Sequence, residues 1–152
     1  MHQEFCKIFS KFVEENDIKE NEFGLEITET AELEDTQKAG ESLERLKKRG
    51  IKIALDDFGA GYASLKYIRD LPIDVVKLDR HFTSNISDPS TSRLIKFVSD
   101  VCAELNLEMI GEGIETEQEK NMMIDLGCET GQGFLMHMPS FIEDIMKEKN
   151  DG

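Results

Sequence analysis

Glu26 and Glu29 close one short apolar run of the sequence, Asp56 and Asp57 close a second, and Glu112 closes a later one, with Glu115 just beyond. Between them, Val75-Val76-Lys77-Leu78-Asp79 sets a lysine inside apolar sequence and an aspartate at its end. Carboxylates without clustered His or Cys are hard oxygen donors that suit Mg²⁺ or Mn²⁺ rather than Zn²⁺. Adjacent Asp56 and Asp57 could flank two ions spaced for in-line attack on a phosphodiester. Without cations, neighbouring carboxylates repel each other. Lys77 must be paired or have a lowered pKa in such a strand. Beside metal ions its ammonium would be depressed further, which suits proton handling; a salt bridge to Asp79 or to a neighbouring strand's acid is the structural alternative. Two reaction types fit this set: metal-assisted phosphodiester hydrolysis, and enolase-type proton abstraction with Mg²⁺ and a lysine.

The elements that must carry these residues alternate. Apolar spacing predicts a helix over Glu4 to Asn16, with Phe5, Ile8, Phe9, Phe12 and Val13 on one face. Strands are predicted over Phe23 to Thr28, Ile51 to Leu55, Ile73 to Leu78, Leu107 to Ile110 and, briefly, Glu129 to Gly131. Helices are predicted over Thr36 to Arg49, Ala63 to Ile68, Asp88 to Leu105 and Thr116 to Leu126, with a last one from about Ser140. Lys47, Lys48, Arg49 and Gly50 form a helix stop, and Asp88-Pro89 forms a helix start. Strand following helix at such spacing implies βαβ units and a parallel sheet, either doubly wound or closed into a (β/α) barrel. In a barrel, polar groups at successive strand ends converge on one mouth, which is where catalysis is placed.

Composition narrows the partners. The 152 residues carry a net charge of −14, a field that repels polymeric nucleic acid. Metal ions in an acidic pocket can still admit a small phosphorylated ligand. Cys6, Cys102 and Cys128 fit no paired framework and read as free thiols of a reducing cytosol. No stretch is apolar enough to span a bilayer and no signal peptide is visible. A cytoplasmic location without direct membrane contact is expected, for the chain itself or as the cytosolic domain of a larger, membrane-anchored protein. The three histidines read as surface or structural, and the methionines as core filling. Gly59-Ala60-Gly61 and Gly131-Gln132-Gly133 permit close backbone approach and are weak signals alone.

Five segments together resemble one family. Phe23-Gly24-Leu25-Glu26-Ile27-Thr28-Glu29-Thr30 is similar to the LEITES strand of EAL-domain cyclic di-GMP phosphodiesterases. Asp56-Asp57-Phe58-Gly59-Ala60-Gly61-Tyr62-Ala63-Ser64-Leu65 resembles their DDFGTGYSSL, and Val76-Lys77-Leu78-Asp79-Arg80-His81-Phe82 their KIDRSF. Ile110-Gly111-Glu112-Gly113-Ile114-Glu115-Thr116 is similar to AEGVET, with Gly111 where Ala is usual, and Gly131-Gln132-Gly133-Phe134-Leu135 to QGYLF. All five stand in the family's order.

The resemblance implies an α/β fold, a partial (β/α) TIM-type barrel with about five of eight strands. Residues 1–152 would be the C-terminal portion of the domain, without the strands that carry the Glu-Ala-Leu signature and a metal-ligating Asn. It implies two Mg²⁺ or Mn²⁺ ions, with Glu26 and Asp56 on the first and Asp57 on the second beside Glu112. Lys77 would handle the attacking water, Gln132 would hold water or phosphate, and Glu29 would anchor the loop from Phe58 to Leu65. Asp79 and Glu115 would be substrate-side or structural. The implied reaction opens cyclic di-GMP to linear pGpG; the rival is an inactive module that binds cyclic di-GMP or a protein partner. A barrel short of strands has open edges, so a homodimer or other self-association is expected.

Overall fold

The computed structural model describes residues 8, 9, 11–13, 15, 16, 23–28, 36–59 and 64–141. Five parallel strands form one sheet in sequential order: β1 (Gly24–Thr28), β2 (Lys52–Phe58), β3 (Val75–Leu78), β4 (Glu108–Gly111) and β5 (Thr130–Gly131). Helices α1 (Thr36–Lys47), α2 (Ser64–Asp70), α3 (Arg80–Ser84), α4 (Pro89–Leu105) and α5 (Glu117–Asp125) lie between them. Parallel neighbours require a crossover, and each one here contains a helix. All five strand ends therefore point the same way.

Local sequence explains most boundaries. α1 buries Ala39, Leu43 and Leu46, one stripe at helical spacing. It stops where Gly50 takes a φ of 75°, a left-handed conformation that costs glycine little. Asp88 caps α4 by accepting from the Ser90 and Thr91 N–H groups, with Pro89 in the first turn. Thr116 and Glu119 cap α5 reciprocally, a capping box that the Thr-x-x-Glu spacing encodes. The core lies between the helices and the strands, where Leu43, Leu46, Ile53, Leu55, Val76, Leu78 and Ile95 have no measurable exposure.

The structure departs from expectation in places. β2 runs on to Phe58, past the predicted stop at Leu55, so Asp56 and Asp57 lie within the strand. The predicted start of β3 at Ile73 is replaced by a turn in which Asp74 Oδ2 accepts from the Ile53 N–H at 2.8 Å. α3 was not foreseen, although Asp79 caps it by accepting from the His81 N–H at 2.8 Å. Of the opening helix, residues 8, 9, 11–13 and 15 are helical; Val13 is buried, but Ile8 and Phe12 are exposed, so the predicted apolar face is only partly covered. Ser140 and Phe141 are not helical, and the rest of the predicted last helix lies outside the described residues.

Candidate functional site

The strand ends bring most of the sequence-predicted residues into one cluster. Lys77, on the fully buried strand β3, reaches Glu26 Oε1 of β1 at 2.9 Å, Asp56 Oδ1 of β2 at 2.7 Å and Glu112 Oε1 at 2.8 Å. Glu112 directly follows β4 and also accepts from Gln132 Nε2 at 2.7 Å, just after β5. Five strand ends thus contribute to one hydrogen-bonded and ion-paired set. The partners of Lys77 are acids of neighbouring strands and not Asp79, whose carboxylate is occupied by the α3 cap.

A bulge places the second aspartate. Leu55 pairs with Val76 and Phe58 with Leu78, so Asp56 and Asp57 together oppose Lys77. In a regular strand adjacent side chains point to opposite faces, which would send one of the two acids away. Here Asp57 adopts a φ of 55°, left-handed and strained for a residue other than glycine. The outcome is that Asp56, Asp57 and Glu112 can each offer a carboxylate oxygen, all within 4.8 Å of one another.

The electrostatics match a site short of positive charge. Burial disfavours the Lys77 ammonium, but its contacts with Asp56, Glu112 and Glu26 outweigh that and hold its pKa above the ordinary lysine value. Of the two alternatives read from sequence, pairing or a lowered pKa, the structure shows pairing: three carboxylates surround one ammonium. Desolvation raises the Asp57 pKa, with further upward pressure from Asp56 and Asp79. Desolvation also raises that of Glu112 despite its contact with Lys77, because one cation shared among several acids leaves a deficit. Asp56 Oδ1 is buried and accepts no hydrogen bond among the described residues beyond its ion contact with Lys77. An all-carboxylate donor set of Asp56, Asp57 and Glu112 fits a hard divalent cation.

Beside the cluster opens a cavity of about 390 Å³, whose lining includes Asp57, Glu112 and Gln132 together with Asp79, Arg80, Glu115, Phe134, His137 and Pro139. Arg80 approaches Glu115 at 3.8 Å. Gly133 stays glycine because an added Cβ would fall 2.2 Å from the Ile114 carbonyl oxygen, so the backbone beside Gln132 is packed tightly. Sequence reasoning left out Arg80, Phe134 and His137, and read the histidines as surface or structural. Arg80 was legible as the cation directly after the strand-end Asp79. Glu29 and residues 60–63 of the glycine loop lie outside the described residues, so the anchoring assignment is neither met nor contradicted. Burial pushes the Cys102 and Cys128 thiols up to about 11, which makes them inert packing groups. Among the described residues, no helix is long and apolar enough to cross a membrane.

A parallel α/β sheet whose strands all end in one acidic mouth defines a barrel-type protein with its site at the C-terminal strand ends. Residues 1–139 match the EAL domain, and the chain belongs to that family. It is 35% identical over 130 residues to a cyclic di-GMP phosphodiesterase of Pseudomonas aeruginosa, covering 85% of this chain and 22% of that protein. The chain thus spans about a fifth of the length of the curated relatives it matches. It superposes on the EAL domain of Mycobacterium smegmatis DcpA with a TM-score of 0.92 at 28% identity, over 100% of this chain and 69% of that one. It also superposes on a standalone EAL protein of Vibrio cholerae in its cyclic di-GMP bound form, with a TM-score of 0.80 at 26% identity, over 91% of this chain and 59% of that one. The likeness extends over the whole sheet, so the five strands correspond to part of a TIM-type barrel.

Proposed function

We infer that residues 1–152 are the C-terminal portion of an EAL phosphodiesterase domain and supply most of a site that hydrolyses cyclic di-GMP to linear pGpG. The observation that carries this is the contact of Lys77 with Glu26, Asp56 and Glu112, with Asp57 turned into the same mouth by the β2 bulge. The Pseudomonas relative is a cyclic di-GMP phosphodiesterase and the Vibrio neighbour binds cyclic di-GMP, which supports that ligand for this chain.

Glu26 and Asp56 would hold one Mg²⁺ or Mn²⁺, and Asp57 a second beside Glu112. Bound there, such ions lower the pKa of water and neutralise charge developing on a phosphoryl oxygen. Lys77 Nζ, positioned by three carboxylates, can orient the attacking water and steady negative charge. Gln132 is held by Glu112 at the cavity wall, where its amide can meet water or phosphate. Asp79 fixes the start of α3, and Glu115 lines the cavity, where it would face the substrate. Glu29 is assigned to anchoring the glycine loop. The enolase-type alternative has no comparable support, since the curated relatives named for an activity are cyclic di-GMP phosphodiesterases.

The test is nucleotide hydrolysis by the complete protein with Mg²⁺ or Mn²⁺, before and after chelation, read as conversion of cyclic di-GMP to pGpG. Turnover that survives exhaustive chelation overturns the reading. Binding of cyclic di-GMP without turnover in either ion identifies the inactive module instead.

A further inference from the structure

Gly111 and Gly131 are register partners on β4 and β5, and each directly precedes a residue of the mouth, Glu112 or Gln132. Side chains alternate across a strand. Gly111 therefore faces the helix layer, as the buried Met109 does, while Glu112 and Gln132 line the cavity. Neither glycine has a positive φ, so the backbone does not demand glycine at these two places. What they provide is room. A Cβ on Gly111 would fall 2.4 Å from Met123 Cε, and one on Gly131 would fall 2.4 Å from Ile114 Cδ1. Two side-chain ends thus fill two hollows directly behind the Glu112–Gln132 pair.

The two ends are held differently. Ile114 is fixed by its backbone: its N–H donates to the Gln132 carbonyl at 3.1 Å, and its carbonyl accepts from the Leu135 N–H at 3.0 Å. Met123 is fixed by packing alone. It is the one buried residue of α5, with 1% exposure, so the helix meets the core through this side chain. A long unbranched thioether suits such a gap. The Gly111 carbonyl in turn accepts from the Gln132 N–H at 2.9 Å, and the Glu112 N–H donates to the Leu78 carbonyl at 3.2 Å. From that backbone the Glu112 carboxylate reaches Lys77 at 2.8 Å and Gln132 at 2.7 Å. A close-packed interior passes on displacements of a methyl's size, and Glu112 is the next residue along from Gly111.

We propose that Met123 is a positioning residue of the site: its Cε, seated in the hollow behind Gly111, sets the end of β4 and so holds the Glu112 carboxylate against Lys77 and Gln132. Met123 lines no part of the cavity and acts only through Gly111. The part that Glu112 plays in hydrolysis rests on the phosphodiesterase reading above; its part in holding a cation is tested separately below.

The experiment is a size swap. Gly111→Ala drives a methyl into Met123, Met123→Val shortens the side chain that fills the hollow, and the double variant restores the heavy-atom count of the pair. In the complete protein, Gly111→Ala should lower kcat for cyclic di-GMP per folded molecule about 10-fold with KM little changed. The double variant should recover to within about threefold of native. Ile95→Val, a core trim on α4, should lower Tm and leave kcat per folded molecule unchanged. On the full 152-residue chain, calorimetric titration with Mn²⁺ should show the same order: weakest binding for Gly111→Ala, recovery in the double variant. Should Gly111→Ala fail to fold, Met123→Val adds no bulk and should by itself weaken Mn²⁺ about threefold; unchanged affinity then overturns the proposal. A Gly111→Ala chain that loses Tm but keeps native kcat and native Mn²⁺ affinity reduces Met123 to packing and overturns it. So does a double variant no better than Gly111→Ala, or a native chain that binds no Mn²⁺. A native complete protein that binds Mn²⁺ without hydrolysing cyclic di-GMP removes the phosphodiesterase reading alone, and the Mn²⁺ series still decides the positioning.

Discussion

The two ends of the same sheet handle charge in opposite ways. At the N-terminal ends of the strands, acids and bases are matched one to one: Lys47 meets Asp74 at 2.7 Å, and Lys52 meets Glu108 at 3.4 Å. Asp74 also receives the Ile53 N–H, so its carboxylate is occupied on two sides. At the C-terminal ends, Lys77 alone serves Glu26, Asp56 and Glu112, while Asp57 gains no cation contact of its own among the described pairs. Asp57 and Glu112 are pushed up, whereas Asp88, which caps α4 through backbone N–H groups, is pulled down. A pair matched one to one stabilises a fold modestly; an uncompensated cluster costs stability and is kept where a ligand supplies the missing charge.

The largest effect should come from the lysine at the centre of the acidic cluster. Lys77→Met keeps the stem and removes the charge. In the complete protein the rate per folded molecule should fall roughly 10²-fold or more. Stability should drop by about 2–4 kcal/mol, because the acids lose their shared partner. Initial rates and urea denaturation measure the two separately; an unchanged rate per folded molecule would reduce Lys77 to a structural pairing.

Added cation should act on one end of the sheet only. At 100-fold over its Kd, Mg²⁺ or Mn²⁺ should stabilise the chain by about 2.7 kcal/mol. For a chain of this size that raises Tm by roughly 5–10 °C. Asp56→Asn and Asp57→Asn should each remove most of that rise, and Asp74→Asn should keep it. Ca²⁺ should also raise Tm, yet support poor turnover in the complete protein, since its looser shell holds water less firmly. Equal loss of the Mg²⁺ response in all three variants would erase the distinction between the two ends.

A break at the balanced end should cost less and leave chemistry alone. Asp74→Ala orphans the Ile53 N–H and the Lys47 ammonium, at a cost of about 1–2 kcal/mol, with hydrolysis per folded molecule unchanged. Asp57→Gly should do the reverse. Relief of the left-handed strain should stabilise the metal-free chain by about 0.5–1 kcal/mol, while the Mg²⁺-dependent rise in Tm shrinks. The smallest effect is expected for Asp88→Ala. The folded-state pKa of Asp88 is depressed, so its contribution is present above the ordinary carboxylate pKa and lost as pH falls through the folded value. The difference in Tm between native and variant chains should therefore be full at neutral pH and close in strong acid.

Much of this molecule is written in local sequence. The alternation of apolar runs with helix caps determined five strands, their parallel pairing and four of the five helices between them, because caps and periodicity act over a few residues. The Asp88-Pro89 start and the Gly50 stop fell where the residues put them. The strand-end acids were legible as one set, because parallel strands must end on one side of the sheet. What local sequence could not give was the aim of individual side chains. An Asp-Asp pair in a regular strand points two ways, and only pairing with β3 creates the bulge that turns both toward Lys77. The charge state of Lys77 was likewise undecided, because it depends on how many carboxylates three other strands deliver within 3 Å of it. Arg80 and Phe134 joined the site through cavity shape, which forms only once α3 and the turn after β5 have packed. Identity and order along the chain fix the parts and their sequence; distances and protonation are set by contacts between residues far apart in it, and those exist only in the folded state.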